Sequence, residues 1–314
     1  MARRLSQGAQ ILNLTFHRDV AMTTGLRAVL LALLAFVMLR VAVHSASQNS
    51  LRFRKSSLEE LIRETLFGPA LPGSGAGSGS VLWSADMESG DLSQWNLPGV
   101  PNSPNAGGGV FNSGIAMASV DSASPAHTGR HSAKLFIETR EEPQTLTSGT
   151  RLFRWQEPES HRELYYSVWY YFPRRYRPNG NPSWWNVFQW KSKHVNATAS
   201  DPFFILNIGN RADGSMFAYL YNPITQASYD QTITTIPERK WFRLEAYYKC
   251  AGDRTGHVTF WQDGVQIFDI PSVQTRYADG DCAWSVNNYS NSLDPSDATI
   301  FVDDAAICLG TRCP

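Results

Sequence analysis

The 314-residue chain has no excess of charge, with 28 Lys and Arg against 28 Asp and Glu. That balance is uneven along the chain. Residues 1–79 carry nine basic against four acidic side chains, and the remainder carries nineteen against twenty-four. A nucleic-acid-binding domain normally shows a basic excess, so the mildly acidic main part argues against that partner. HExxH and GxSxG patterns are absent, and no Cys and His spacing suits zinc. No apolar run reaches the roughly twenty residues that a membrane-spanning helix needs. Cysteines are few: Cys250, Cys282, Cys308 and Cys313. In an exported chain, an even count reads as disulfides, with three connectivities open to four cysteines. Cys308 and Cys313 are close enough to staple to each other, which leaves Cys250 with Cys282.

The longest apolar run, AVLLALLAFVML from Ala28 to Leu39, is flanked by Arg27 and Arg40 and followed by small residues. Basic residues, a short apolar core and small residues make a secretory signal. The sequence therefore predicts a signal peptide over 1–46, cleaved near Ser45 to Ser47. The rival is an uncleaved signal-anchor over residues 28–43, with Arg40 snorkelling to the interface. Both place the C-terminal part outside the cell, and Met22 is a rival start to Met1. Residues 47–79 hold SLEELIRETLF, a short amphipathic helix, and GPALPGSGAGSGS, with the composition of a flexible linker. Residues 80–314 form the folded domain.

All ten Trp lie beyond residue 80, where the chain alternates apolar and polar residues. ELYYSVWYYF, WNVFQWKS, PFFILNIG, SMFAYLY, KWFRLEAYYK, GHVTFWQDGVQIFDI and ATIFVDDAAI are rich in aromatic and β-branched residues, with turn-forming clusters between them. Asp263-Gly264 is a hairpin turn signal. Many short strands without interleaved helices predict an all-β sandwich or jelly roll. Residues 101–128 read as long loops around one strand.

Period-two geometry assigns faces. From Trp185, one side holds Val187, Gln189, Lys191 and Lys193 and the other Phe188 and Trp190. From Trp241, Arg243, Glu245, Tyr247 and Lys249 share a side. With Arg162, Asn207, Arg211, Tyr219 and Tyr221, these make a sheet face suited to a sugar chain. Polar groups read hydroxyls, and aromatic faces stack on pyranose rings. An ordinary solvated sheet face has a similar mixture. A second constellation, Asp86 and Glu88 near the first strand with Asp303 and Asp304 on the last, offers oxygen ligands for a structural Ca²⁺, since first and last strands often lie side by side. The scattered histidines read as surface residues, and His194, just beyond Lys191 and Lys193, is the one worth keeping.

The order ADMESGDLSQW, YYSVWYYFP, VFQWKS, PFFILNIGN, KWFRLEAYYK, GHVTFWQDGVQIF, WSVNNYS and IFVDDAAI resembles the heparin lyase I-like and glucuronan lyase group of polysaccharide lyases, over roughly residues 83–307. The resemblance implies a concanavalin A-like β-jelly roll that binds an acidic polysaccharide. It also implies cleavage beside a uronic acid by β-elimination, with no cofactor for catalysis. Carried over by position, Gln189 neutralises the substrate carboxylate and Tyr289 is the base or acid. Arg162 and Lys249 help hold the chain. Two positions depart from the group. Gln189-Trp190-Lys191 stands where Gln-x-His is usual, and NNYS where a GIYR-like stretch is. Lys191 serves as a base only if burial or neighbouring cations depress its pKa, Lys193 being the nearest cation in sequence. The alternative is a non-catalytic, lectin-like module at the cell surface. A glycoside hydrolase ranks last, because no paired-carboxylate motif such as ExDxxE lies on a strand. The expected state is a secreted monomer.

Overall fold

A computed structural model describes residues 80–96, 107–139, 147–155 and 161–314. The expected signal or anchor of 1–46 and the helix and linker of 47–79 lie outside the described residues. Within them the chain forms β1 (Ser80–Ala85), β2 (Gly108–Ser113), β3 (Ile115–Asp121), β4 (Ser132–Glu138), β5 (Ser148–Trp155) and β6 (Glu163–Tyr171). Next come β7 (Arg177–Pro178), β8 (Trp185–Lys193), β9 (Asp201–Asn210), β10 (Met216–Asn222), β11 (Ala227–Tyr229) and β12 (Trp241–Lys249). The last are β13 (Gly256–Gln262), β14 (Val265–Val273), β15 (Asp281–Ser290), β16 (Leu293–Asp294) and β17 (Asp297–Leu309). Among the described residues the one helical element is a 3₁₀ turn, Ser93–Trp95, and no helix is long and apolar enough to cross a membrane.

The strands pair antiparallel into two main sheets, the β-sandwich jelly roll expected from the alternation. A back sheet runs β14-β13-β12-β6-β17-β4-β3, with β1 also paired to β17. A front sheet runs β11-β10-β9-β8-β15-β5-β2. First and last strands lie side by side, as expected, with Ala85 opposite Ala305. The β13–β14 turn places Asp263 at φ 49° and Gly264 at φ 81°. Two successive positive φ values match the twist of a two-residue hairpin. Residues 101–128 differ from expectation: 108–113 and 115–121 form two strands, β2 and β3, on different sheets, joined at Gly114.

The core lies between the sheets and is largely aromatic. From the front sheet come Phe188, Trp190 and Trp284, and from the back sheet Tyr166, Tyr248 and Phe260, all buried. Trp190 stacks on Tyr248 at 4.1 Å, Phe188 meets Phe260 at 5.2 Å, and Tyr166 meets Trp284 at 5.1 Å. Buried phenols need acceptors. Tyr170 donates to the Val187 carbonyl at 2.6 Å and Tyr248 to the Thr275 carbonyl at 2.5 Å. Burial holds both hydroxyls well above the usual tyrosine range.

Both expected disulfides form, Cys250–Cys282 and Cys308–Cys313. The first joins the end of β12 to β15 and so crosses from back sheet to front sheet. Loop-closure entropy grows with the length closed: a separation of 32 residues is worth about 3.5 kcal/mol and one of five about 2 kcal/mol. Replacing both cysteines of each pair by alanine is therefore expected to lower stability more at Cys250–Cys282, by about 1.5 kcal/mol. Equilibrium unfolding in guanidinium chloride checks the difference.

Candidate functional site

The outer face of the front sheet carries a cavity of about 610 Å³, whose lining includes Trp184, Asn186, Gln189, Asn207, Tyr219, Tyr221 and Tyr289. Beside it lies a second cavity of about 510 Å³, which shares Ser183, Tyr219 and Ser228 and is lined further by Arg177 and Arg211. The residues come from neighbouring strands. Gln189 of β8 lies opposite Ile205 of β9 and Ser285 of β15, and Asn207 lies opposite Tyr219 of β10.

The floor is built from buried amides. Asn186 is 2% exposed, and Gln189 and Asn207 are each 3% exposed. Asn287, on β15, donates from Nδ2 to Asn186 Oδ1 at 2.8 Å. Gln189 Oε1, Asn207 Oδ1, Asn287 Oδ1 and Ser285 Oγ are buried and have no hydrogen-bond partner. An orphaned buried polar atom costs about 1–3 kcal/mol. Several on one sheet face are acceptors open to water or to the hydroxyls of a polar ligand.

Asn186 escaped the alternation argument because β8 is irregular. Its register against β9 shifts between Asn186 and Phe188. This bulge turns Val187 into the core, fully buried, and brings Asn186 to the groove face beside Gln189. Val187 therefore does not share the outward side with Gln189. A bulge re-aims a side chain without leaving a composition signal. β15 shifts against β8 over the same stretch, between Val286 and Tyr289. Asn287 and Tyr289 face the groove, whereas Asn288 points inward and binds Trp185, Leu135 and Ala298.

Tyr289 is seated on a gap in β5. A Cβ on Gly149 would lie 2.2 Å from Tyr289 Cδ2, so only glycine admits the ring. Thr147 Oγ1 lies 3.2 Å from the Tyr289 hydroxyl, and Trp184 meets the ring edge-on at 4.8 Å. Arg151 of β5, missed in the sequence, places its guanidinium 4.4 Å from the Tyr289 ring centroid. Lys191 projects from the same side of β8 as Gln189, two residues along. Its ammonium is pushed down to about 8, first by burial, then by the Arg151 charge, with Asp201 opposing. Tyr219 is pushed up to about 12, first by burial and then by Asp230 and Tyr221, so it stays a hydrogen-bond donor.

Other expected residues lie elsewhere. Lys249 and Arg162 are on or beside the back sheet, away from the groove. Lys249 pairs with Glu163 at 2.9 Å, and Arg162 sits 3.8 Å from Cys250 Sγ. The alternation of β12 was right, but its polar side is the outer face of the other sheet. Arg211 reaches the second cavity, where it donates to the Gln231 and Thr234 carbonyls. Lys193 lies at the end of β8 opposite Asp281, and His194 bonds Asp279 at 2.7 Å and stacks on Tyr277.

The four carboxylates expected to hold calcium do not form one ligand set. Glu88 accepts from the Arg130 and His131 amides, and Asp86 accepts from Gln94. Asp303 accepts from the His127 amide, and Asp304 takes His127 Nδ1 and Thr128 Oγ1. Glu88, Asp303 and Asp304 thus clamp the loop 127–131 through its own donors. Among the described residues, no group of three or more His, Cys, Asp or Glu is placed to hold a metal.

A family model described as polysaccharide lyase matches residues 87–306. The chain belongs to this family. Among solved structures, endo-β-1,4-glucuronan lyase from the fungus Trichoderma reesei aligns at 15% identity with a TM-score of 0.55, over 74% of this chain and 96% of that one. The PL-14 alginate lyase from Aplysia kurodai aligns at 13% identity and TM-score 0.47, over 73% and 98%. The Emp47p carbohydrate recognition domain aligns at 13% and 0.43, over 76% and 100%. No curated protein sequence matches the chain significantly. The first of these similarities gives the fold, and the family gives the chain its class as a polysaccharide lyase. The back sheet also carries a cavity, of about 630 Å³, but there Arg243 and Arg312 both pair with the buried Glu245, whereas the groove is lined by buried oxygens without partners.

Gly149→Ala tests the seat of Tyr289. Its Cβ displaces the ring, so lyase activity is expected to fall at least about tenfold while the folded circular dichroism spectrum is kept. A Gly149→Ala enzyme with unchanged kcat would show that the ring's position is not needed.

Proposed function

We propose that this lyase cleaves a uronate-containing polysaccharide by β-elimination in the front-sheet groove. The observation that carries this reading is the cavity shared by Gln189 and Tyr289, floored by amides that keep buried oxygens without partners, with a lysine pushed down to about 8 on the same face of β8. Gln189, with Asn186 and Asn207, donates amide N–H groups to the substrate C6 carboxylate. These bonds strengthen as negative charge builds up at C5 and C6. Neutral Lys191 removes the C5 proton, the C4–O bond breaks, and the Tyr289 hydroxyl protonates the leaving oxygen. Electrons of the C5–H bond become the C4=C5 double bond, and those of the C4–O bond leave with the departing chain end. Tyr219 and Tyr221 offer ring faces and hydroxyls for adjacent sugars.

The two disulfides also support placing the enzyme outside the cell, because such bonds persist in oxidising compartments. The short apolar run before residue 40 supplies the route.

The test is the ultraviolet absorbance of the purified protein mixed with polyglucuronate, alginate and glycosaminoglycans. Elimination leaves a conjugated, absorbing end, which hydrolysis does not produce. Lys191→Ala and Tyr289→Phe are each expected to lower the rate about 10²–10⁴-fold. A flat signal from the unmodified protein, with binding to one of these polymers, would leave only the lectin-like reading. A second expectation concerns pH. As a base, Lys191 acts when neutral, so kcat should climb about tenfold per pH unit below pH 8 and level off above its pKa of about 8. A rate that falls across pH 7–9 would remove Lys191 from the base role.

A further inference from the structure

The second cavity takes no part in the elimination step, yet the same strand builds it. Asn207 and Gly209 share one side of β9, opposite Tyr219 and Phe217 of β10, and Arg211 follows directly after the strand. Asn207 lines the groove, Gly209 and Arg211 line the second cavity, and Tyr219 lines both. Asn207 and Arg211 are four positions apart, about 13 Å along an extended chain, which is longer than one sugar ring. Two cations stand at the far end. Arg211 donates from Nη2 alone, to the Gln231 and Thr234 carbonyls at 3.1 and 3.0 Å, and its guanidinium carbon lies 5.0 Å from the Phe217 ring centroid. These contacts fix the fork and leave Nη1 and Nε open. Arg177 of β7 is exposed at the rim. Among the described residues, neither arginine is held in a salt bridge. The anions near them are Asp213, whose Oδ1 is taken by the Ser215 amide and hydroxyl at 2.9 and 2.7 Å, and Asp230, which lines the cavity. Asn210 Oδ1, also in the lining, is buried without a partner. Guanidinium forks beside an open acceptor match what a uronate presents, a carboxylate flanked by hydroxyls.

We propose that the second cavity is a subsite for the carboxylate of a second uronate in the same chain, held by Arg177 and Arg211 while Gln189 holds the carboxylate of the sugar being cleaved. The proposal rests on the reading of the groove as the polysaccharide site. The enzyme then grips its substrate through two acids set more than one ring apart, and chains too short to reach the arginines bind weakly. Asp230 works against this grip, because a carboxylate in the cavity repels another. Tyr219, at the junction of the two cavities, offers its ring and hydroxyl to the sugar between them.

Charge variants of the full chain test the subsite with opposite signs. Arg177→Gln and Arg211→Gln are each expected to raise KM for polyglucuronate about tenfold, the loss of one charge-assisted hydrogen bond, and to lower kcat by less. Asp230→Asn is expected to lower KM about twofold. Calorimetric titration of the Tyr289→Phe protein, which leaves the substrate intact, with glucuronate oligomers of increasing length gives the second readout. Affinity should step up at the length that reaches the arginines, and the step should vanish in both arginine variants. An unmoved KM in both arginine variants, or an Asp230→Asn protein that binds as weakly as they do, overturns the proposal. A step that appears with sulfated chains and not with glucuronate oligomers overturns the carboxylate assignment in favour of a sulfate ester. Should Arg211→Gln not fold, Arg177→Gln decides, since its side chain is exposed and braces nothing. If the unmodified protein yields no absorbance on any polymer, the elimination reading fails. Calorimetry then still tests the subsite, and glucuronate binding that is absent, or equal in the variants, overturns it.

Discussion

Trp190 lies flat on Tyr248 at 4.1 Å, and that contact fastens the front sheet to the back sheet at the strand that carries Gln189 and Lys191. Residues alternate across a strand, so burying Phe188 and Trp190 obliges Gln189 and Lys191 to face outward. The core therefore does more than stabilise the domain. A slip of one residue in β8 would bury the amide and the lysine and expose two large aromatic rings, which makes that register strongly favoured. The bulge at Val187 adds one controlled exception. It puts Asn186 next to Gln189 and keeps Trp185, bonded to Asn288, inside.

How much of this is legible in the sequence follows from what each feature depends on. The strands from Glu163 onward, the Asp263-Gly264 hairpin and the inward Phe188 and Trp190 follow from local alternation and turn chemistry and were read correctly, whereas Val187 was placed outward and β2 and β3 were read as loops around one strand. The pairing of the first strand with the last also agreed. Arg162 and Lys249 were placed wrongly because alternation tells which residues share a side of one strand, not which sheet the strand joins. Sheet membership is set by long-range pairing, here β12 with β6 and β8 with β9 and β15. Asn186 was hidden by the bulge. Arg151 was hidden because the rings that meet over it, Tyr289 and Phe111, are distant in sequence. The lysine at position 191 was recognised as a conditional base. Burial is the first cause of its lowered pKa, and the cation that adds to it is Arg151 rather than Lys193.

The groove is maintained at a cost. Lowering a lysine from 10.5 to about 8 means that below pH 8 the folded state holds a charged group in a place that disfavours it, by about 3 kcal/mol. The sign follows from proton counting. Between the two values the unfolded chain binds more protons than the folded one, so stability rises with pH across that window and the penalty is complete below it. The unpartnered amides add to the same cost. The dense aromatic layer beneath offsets both.

The back sheet makes the contrast that locates the site. Its outer face is as polar and as aromatic as the groove, yet its groups answer one another. Lys249 and Tyr247 both engage Glu163, His257 pairs with Asp269, and Arg243 donates to Ser167. In its cavity of about 630 Å³, too, Arg243 and Arg312 both pair with Glu245. On the front sheet, Gln189, Asn207, Ser285 and Asn287 hold buried atoms with no partner, and Arg151 has aromatic rings where a carboxylate would ordinarily stand. Sequence pattern alone treats the two faces as equals. It is the absence of internal partners, at a cavity wide enough for sugar rings, that separates a surface built for a ligand from one that is already complete.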